Sequence, residues 1–307
     1  MLAMPGPIIA LVGATASGKS GLGLDLAEQL GGEIVNTDAM QVYRGMDIGT
    51  AKLPLAERRG IAHHLLDMLE VTEPATVAQF QGWARNAIAG VRGRGGTPIL
   101  VGGSALYTRA IIDRFEFPAT DESLRRELEV ELERVGPHLM HDRLAGIDPT
   151  AASRIIPDNG RRVVRALEVI ALTGRPYSAS LPTLDYADPC TIQIGVDIDR
   201  PTLDERISQR VDEMFAGGFV AEVGSLIARG LEEGRTARRA IGYREVVGLL
   251  AGDRTLAEAM DQTKAATRRF SRRQDGWFRK DERIVWIDHD DPDRLERATR
   301  AIGALAE

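Results

Sequence analysis

The chain has 307 residues, 43% hydrophobic and 27% charged, with a formal net charge of −6. This suits a globular protein of one large domain, or a domain carrying an insertion, and means that any nucleic-acid site must be a local basic surface. The single cysteine, Cys190, excludes an intrachain disulfide and a cysteine-based zinc site and fits a reducing cytoplasm; no run approaches the ~18 apolar residues of a membrane span.

Pro7 to Val12 is a short apolar run that reads as a buried first strand rather than a signal peptide. Gly13-Ala14-Thr15-Ala16-Ser17-Gly18-Lys19-Ser20 follows at once and fits G-x-x-x-x-G-K-S. Leu22, Leu26 and Leu30 then mark one side of a helix that Gly31-Gly32 stops. Glu33 to Thr37 is a second strand ending at Asp38, Ala78 to Arg92 a helix, Thr97 to Val101 a third strand, and Ser104 to Arg114 a helix again. From Asp121 to Tyr177 only helical patterns occur. Strand character returns at Thr191 to Asp197 and at Arg283 to Ile287, with helices between them to about Phe278. The expected class is α/β: a P-loop NTPase-like parallel sheet core (1–117 and 190–307) with a helical insertion (118–189).

The glycines of the loop let backbone amides wrap a phosphate, and the helix N-terminus adds positive potential. Lys19 supplies a point charge and Ser20 a hydroxyl ligand for Mg²⁺. Alone, the motif suggests ATP or GTP. Asp38, at the carboxyl end of a strand, faces the ligand crevice of an open α/β sheet. Magnesium ligand, general base and N-cap of a helix over Ala39 to Tyr43 all remain open to it. Leu203, Ile207, Val211 and Met214 form a helical stripe into which Arg210 falls. An arginine there needs a partner, either an internal carboxylate or a diphosphate. Val163, Ala166, Leu167 and Ile170 share a helix face, with Arg161 and Arg165 opposite and Arg162 at the flank, a solvated basic face. Lys264 to Arg283 holds eight basic residues, with Trp277 and Phe278 among them, a mixture that tracks phosphates and stacks bases. Trp277 by itself reads as core. His63 and His64 lack metal-ligand spacing.

The run Asp38 to Lys52 closely resembles the signature of the tRNA dimethylallyltransferases, or tRNA isopentenylpyrophosphate transferases. His63 to Asp67, Val101 to Tyr107, Arg161 to Val169, Ala240 to Arg244 and Thr267 to Arg279 match in the family's order. The resemblance implies transfer of a dimethylallyl group from dimethylallyl diphosphate to N6 of adenosine 37, next to the tRNA anticodon, with pyrophosphate leaving. It implies that the P-loop holds the diphosphate with Mg²⁺, that Asp38 is the general base, and that Thr15, Lys19 and Arg210 stabilise the leaving group. It places tRNA contacts at Asp38, Ala39, Met40, Gln41 and Ser104. Further contacts fall at Arg125, Arg161, Arg162, Val163, Val164 and Arg165 in the insertion, and at Arg239, Ala240, Ile241, Gly242, Tyr243 and Arg244. A monomer with the target base flipped into a channel is expected. A small-molecule kinase, an adenylate prenyltransferase and a P-loop RNA-binding module compete with this reading. The first two need no basic insertion, and the third leaves Asp38 and Arg210 without a task.

Overall fold

A computed structural model describes residues 6–305 apart from 116, 119 and 178–183; that last stretch of the expected insertion lies outside the described residues. The described chain forms two compact units, a core of residues 1–112 and 186–307 and a helical unit, Asp113–Asp185. The helical unit therefore begins and ends a few residues before the expected 118 and 189. Asp188 belongs with the core because it accepts from Arg92, at 2.5 Å, and from the Cys190 amide.

The core is one parallel sheet. Its strands are β1 (Ile8–Val12), β2 (Gly32–Asn36), β3 (His63–His64), β4 (Thr97–Val101), β5 (Thr191–Asp197) and β6 (Ile284–Asp288), in the order β3-β2-β4-β1-β5-β6. β1 is buried along its whole length, as a continuous apolar run in a sheet covered on both faces must be. One face packs Ile9, Leu11, Ile34, Ile99 and Ile194 against Leu22 and Leu26 of α1 (Lys19–Leu30) and Ile302 of α12 (Arg294–Gly303). Helices α2 (Val77–Gly93) and α3 (Ala105–Ile112) bring Phe80, Ala84 and Ile111 into the other core cluster. Burying each large aliphatic or aromatic side chain is worth about 1.5–3 kcal/mol, so this two-faced core fixes the strands whose carboxyl ends carry the loops.

Two elements escape the sequence pattern. β3 is only a two-residue edge strand, and α12 has a thin stripe of Leu295, Ala298 and Ile302 among charged residues. The predicted helix after Asp38 does not form. Asp38 Oδ1 accepts the Met40 amide at 2.8 Å, a local turn that takes the backbone out of helical register, and residues 39–51 are a chain of turns.

The helical unit consists of α4 (Glu122–Val135), α5 (Pro137–Ile147), α6 (Pro149–Arg154) and α7 (Gly160–Thr173). Leu128, Met140, Leu144, Ile155, Val163 and Leu167 make its core. Arg161 and Arg162 are exposed on α7, as expected for a basic face. Arg165 is not part of such a face. With Arg125 it binds Glu168, a side chain with no exposure, at 2.9 and 2.7 Å, and the Asp121 amide completes the set at 3.1 Å. Arg165 also donates to the Pro118 carbonyl at 2.8 Å. Val163 and Val164 are buried and face inward. Burial opposes charge on Glu168, but the two guanidiniums and the amide outweigh it and hold the carboxyl below its ordinary range.

Replacing Glu168 with Ala strands two partly buried guanidiniums and is expected to destabilise the helical unit by about 2–3 kcal/mol. The wild-type advantage is fully present above the unfolded carboxylate range and is lost as pH falls through the depressed folded value. Thermal unfolding of both proteins from neutral to acid pH checks this, and the two melting curves should converge in acid.

Candidate active site

The phosphate loop runs from β1 into α1. Gly18, at φ 97°, is the residue before α1 and has no side-chain cap, so the amides of the first turn stay open to an anion. Lys19 folds back onto the loop, donating to the Ala14 carbonyl at 2.5 Å and, more weakly, to Ser17 Oγ at 3.5 Å. Burial and the neighbouring Arg210 push its amine down to about 7, while Asp38 pulls the other way. Arg210, on α8 (Arg200–Ala216), is also held below its ordinary value, first by burial. Glu213, one turn on in the same helix, attracts it, but among the described residues no carboxylate forms an ion pair with it.

Asp38 follows β2. Its backbone is pinned by Asn36, whose Oδ1 takes the Asp38 amide at 2.8 Å while its Nδ2 donates to the Asp38 and Leu65 carbonyls. Burial raises the carboxyl's proton affinity, an effect partly offset by the Met40 amide, Lys19 and the Gln41 amide. A raised carboxylate beside cations suits a general base better than a surface cap does. Glycine is needed at 102, because a Cβ there would lie 2.3 Å from Thr37 Oγ1 and 2.8 Å from the Asp38 amide. The β4 turn thus presses against the Asp38 loop, and Ser104 Oγ, two residues further on, accepts the Ala39 amide at 3.4 Å.

Two cavities meet here. One, of about 270 Å³, holds Thr15, Gly18, Lys19 and Ser20, with Ile34, Leu53, Leu66 and Val101 as an apolar wall. The other, of about 340 Å³, is lined by Met40, Ile207, Val211, Met214, Ile241 and Phe270, with Ser104, Arg239 and Arg273 also at its walls. Thr15, Ala16, Asp38, Thr50, Ala51 and Arg210 line both. Gln41, in the phosphate cavity, donates to the Thr50 carbonyl at 3.0 Å.

Sequence reasoning missed what holds that shared wall. Glu222, on α9 (Phe219–Ile227), accepts the amides of Asp47, Ile48 and Gly49 at 3.0, 2.7 and 3.2 Å and the Tyr243 hydroxyl at 2.6 Å. Buried Lys52 donates to Asp47, Asp67 and the Tyr43 carbonyl. Nothing in local sequence pairs Glu222 with residues about 175 positions earlier.

The expected tRNA contacts in 239–244 divide. Arg239 and Arg244 are exposed and Ala240 and Ile241 line the second cavity, whereas Gly242 and Tyr243 are buried away from it, with Tyr243 spent on Glu222. On α11 (Leu256–Phe278), Phe278 enters the core, but Trp277 is 46% exposed, against its reading as core. It follows Arg269 and Arg273 at helical spacing on the exposed side.

Ser20 is exposed on the first turn of α1. Among the described residues no three His, Cys, Asp or Glu gather to hold a metal. A Mg²⁺ ion that takes a serine hydroxyl, water and substrate phosphate oxygens fits that donor set.

A phosphate cradle at the carboxyl edge of a parallel sheet, opposite a carboxylate of raised proton affinity, defines a P-loop transferase. The IPP transferase family model matches residues 41–281. A tRNA dimethylallyltransferase from a Nocardioides species is 70% identical over 301 residues, 98% of this chain and 97% of that protein. One from Streptomyces coelicolor is 56% identical over 304 residues, 99% of this chain and 97% of that protein. The full-length tRNA isopentenylpyrophosphate transferase of Bacillus halodurans aligns with TM-score 0.70 at 40% identity, over 98% of this chain and 95% of that one. A eukaryotic dimethylallyltransferase acting on tRNA aligns at TM-score 0.84 and 28% identity, over 97% and 78%. The chain belongs to the IPP transferase family.

Lys19 gives the site a pH signature. Its cationic form is lost as pH rises through about 7, so pyrophosphate affinity should fall above neutral pH and binding should take up protons near it. Calorimetry of pyrophosphate binding in buffers of different ionisation enthalpy, from pH 6 to 9, measures both. Lys19→Met should abolish the proton uptake.

Proposed function

We propose that this chain transfers the dimethylallyl group of dimethylallyl diphosphate to N6 of adenosine 37 of tRNA and releases pyrophosphate. The observation that carries the reading is Asp38 on the wall shared by the two cavities, with Lys19 and the buried Arg210 at the same site.

The diphosphate takes the loop amides of the phosphate cavity, and the prenyl group lies toward the shared wall. The adenine enters from the second cavity, whose apolar lining accepts a flat base. N6 attacks the allylic carbon, the carbon–oxygen bond to the diphosphate breaks, and Asp38 Oδ takes the N6 proton. Lys19, Arg210 and the Thr15 hydroxyl meet the charge that grows on the departing oxygens, where a desolvated site makes each interaction count most. Ser20 would offer its hydroxyl to a Mg²⁺ ion arriving with the diphosphate, and that ion would add charge neutralisation at the leaving group.

For tRNA, Arg239, Arg244, Arg269, Arg273 and Trp277 on the core and Arg161 and Arg162 on the helical unit offer exposed cations and a stacking ring. Arg125 and Arg165 contribute by ordering that unit through Glu168, and Val163, Val164, Ala240 and Tyr243 by packing beneath the contacts. Ala39, Met40 and Gln41 border the cavities. No described helix is long and apolar enough to cross a membrane, and the enzyme acts in the cytoplasm as a monomer.

Labelled dimethylallyl diphosphate with unmodified tRNA carrying A36-A37-A38 tests the reading. Label should pass to the tRNA; its absence, with ATP turnover on a small acceptor, would assign a kinase instead. Asp38→Asn should lower kcat at least a hundredfold with tRNA affinity kept within about threefold. Wild-type kcat should rise with pH on an acid limb set above the ordinary carboxylate range, since the base works only deprotonated.

A further inference from the structure

Gln274 lies on the inner side of α11, 4% exposed and lining the phosphate cavity. Its Oε1 accepts the Thr15 amide at 2.9 Å, and its Nε2 donates to the Gly103 carbonyl at 2.8 Å. One side chain thus ties the loop after β1 to the turn after β4, the strand paired with β1. Position 103 is closed around this contact, because a Cβ there would lie 2.2 Å from Gln274 Nε2. The arrangement needs an acceptor and a donor on one uncharged head group, which at this length is a glutamine. Both protein groups it serves sit in a site that burial has already desolvated, where an unmade hydrogen bond is costly.

Thr15 lines both cavities. Its amide is turned to Gln274 rather than into the phosphate hollow, so the backbone of Thr15 is fixed from outside the loop. Its hydroxyl is thereby held at the wall where the carbon–oxygen bond is broken. Gly103 lies next to Gly102, which packs on the Asp38 backbone, so the same amide also braces the base-bearing side.

We propose that Gln274 is a positioning residue of the reaction, setting the Thr15 end of the phosphate loop against the Asp38 side of the site. This rests on the prenyl-transfer reading above. It makes no demand on tRNA binding, and its effect belongs in kcat and in the grip on pyrophosphate.

The test uses the full chain with Gln274→Met and Gln274→Glu. The methionine variant keeps the volume and loses both hydrogen bonds; kcat for label transfer should fall about tenfold or more, with KM for tRNA within about twofold. In the glutamate variant an ionised carboxylate faces the Gly103 carbonyl and the diphosphate, so its loss at neutral pH should exceed that of Q274M. As pH falls, the protonated carboxyl again donates to Gly103 and accepts from Thr15, and the ratio of Q274E to wild type should recover. A ratio constant across pH, or a Q274M kcat equal to wild type, overturns the assignment, as does a deficit that merely follows the melting temperature recorded at each pH. Pyrophosphate binding by calorimetry runs alongside. If wild type transfers no label, the prenyl-transfer reading fails by itself. Pyrophosphate affinity then decides for Gln274, being weaker in Q274E at neutral pH and converging on wild type in acid if the assignment holds.

Discussion

The site depends on one electrostatic imbalance. Lys19 and Arg210 are both pushed toward neutrality by burial and by cations nearby, and Asp38 is the anion set against Lys19. Asp38 faces Lys19, and Arg210 has only the attraction of Glu213, one turn on in its own helix, against its burial and Arg206; desolvated cations so thinly matched favour an anionic ligand. A bound diphosphate would be such a ligand, favouring the charged form of Lys19 and leaving Asp38 to accept a proton, as the proposed reaction requires. The same imbalance works on the leaving group, because pyrophosphate gains charge as the bond breaks and the cations are already in place without reorganisation.

Holding such charges together takes backbone more than side chains. The parallel sheet brings the carboxyl ends of β1, β2 and β4 to one edge, and its apolar faces make that edge rigid. Gly102 lets the β4 turn touch the Asp38 amide, and Glu222 gathers three successive amides of the loop that carries Thr50 and Ala51. A carboxylate accepting three backbone amides and a phenol has little left to lose to solvent, so the loop has one well-determined shape. That loop gives Thr50 and Ala51 to the wall between the cavities, along with Thr15, Ala16, Asp38 and Arg210.

How much of this was legible in sequence follows from the range of each interaction. The phosphate loop and β1 could be read directly because motif, strand and helix lie within about a dozen residues. Asp38 could be placed at a strand end for the same reason. Its role as a helix cap was the wrong alternative, since a single Asx turn to Met40 decides the backbone and propensity does not reveal it. Arg165 was read from helical periodicity as solvated. Periodicity places a residue on a face but does not show that Glu168 and Arg125 meet it there. Trp277 was read as core from its apolar surface, yet its neighbour Phe278 takes that place, and one residue along a helix turns the side chain by ~100°. Glu222 and Gln274 carry no local signal at all; their partners lie far away in the chain, so only the folded geometry gives them a function.

The two cavities also set what surrounds Asp38 and the cations. An allylic diphosphate whose leaving group is already stabilised is exposed to attack by water as well as by an amine. A site that stabilises departure must therefore keep solvent from the carbon. Ala16 and Ala51 put methyl groups on the wall shared by the two cavities, beside the polar Thr15, Asp38, Thr50 and Arg210. A kinase would need a polar hydroxyl acceptor beside its γ-phosphate. Here the second cavity sets Met40, Ile207, Val211, Met214, Ile241 and Phe270, surfaces that pack on a flat base and a hydrocarbon, beside Ser104, Thr263, Thr267 and Arg273.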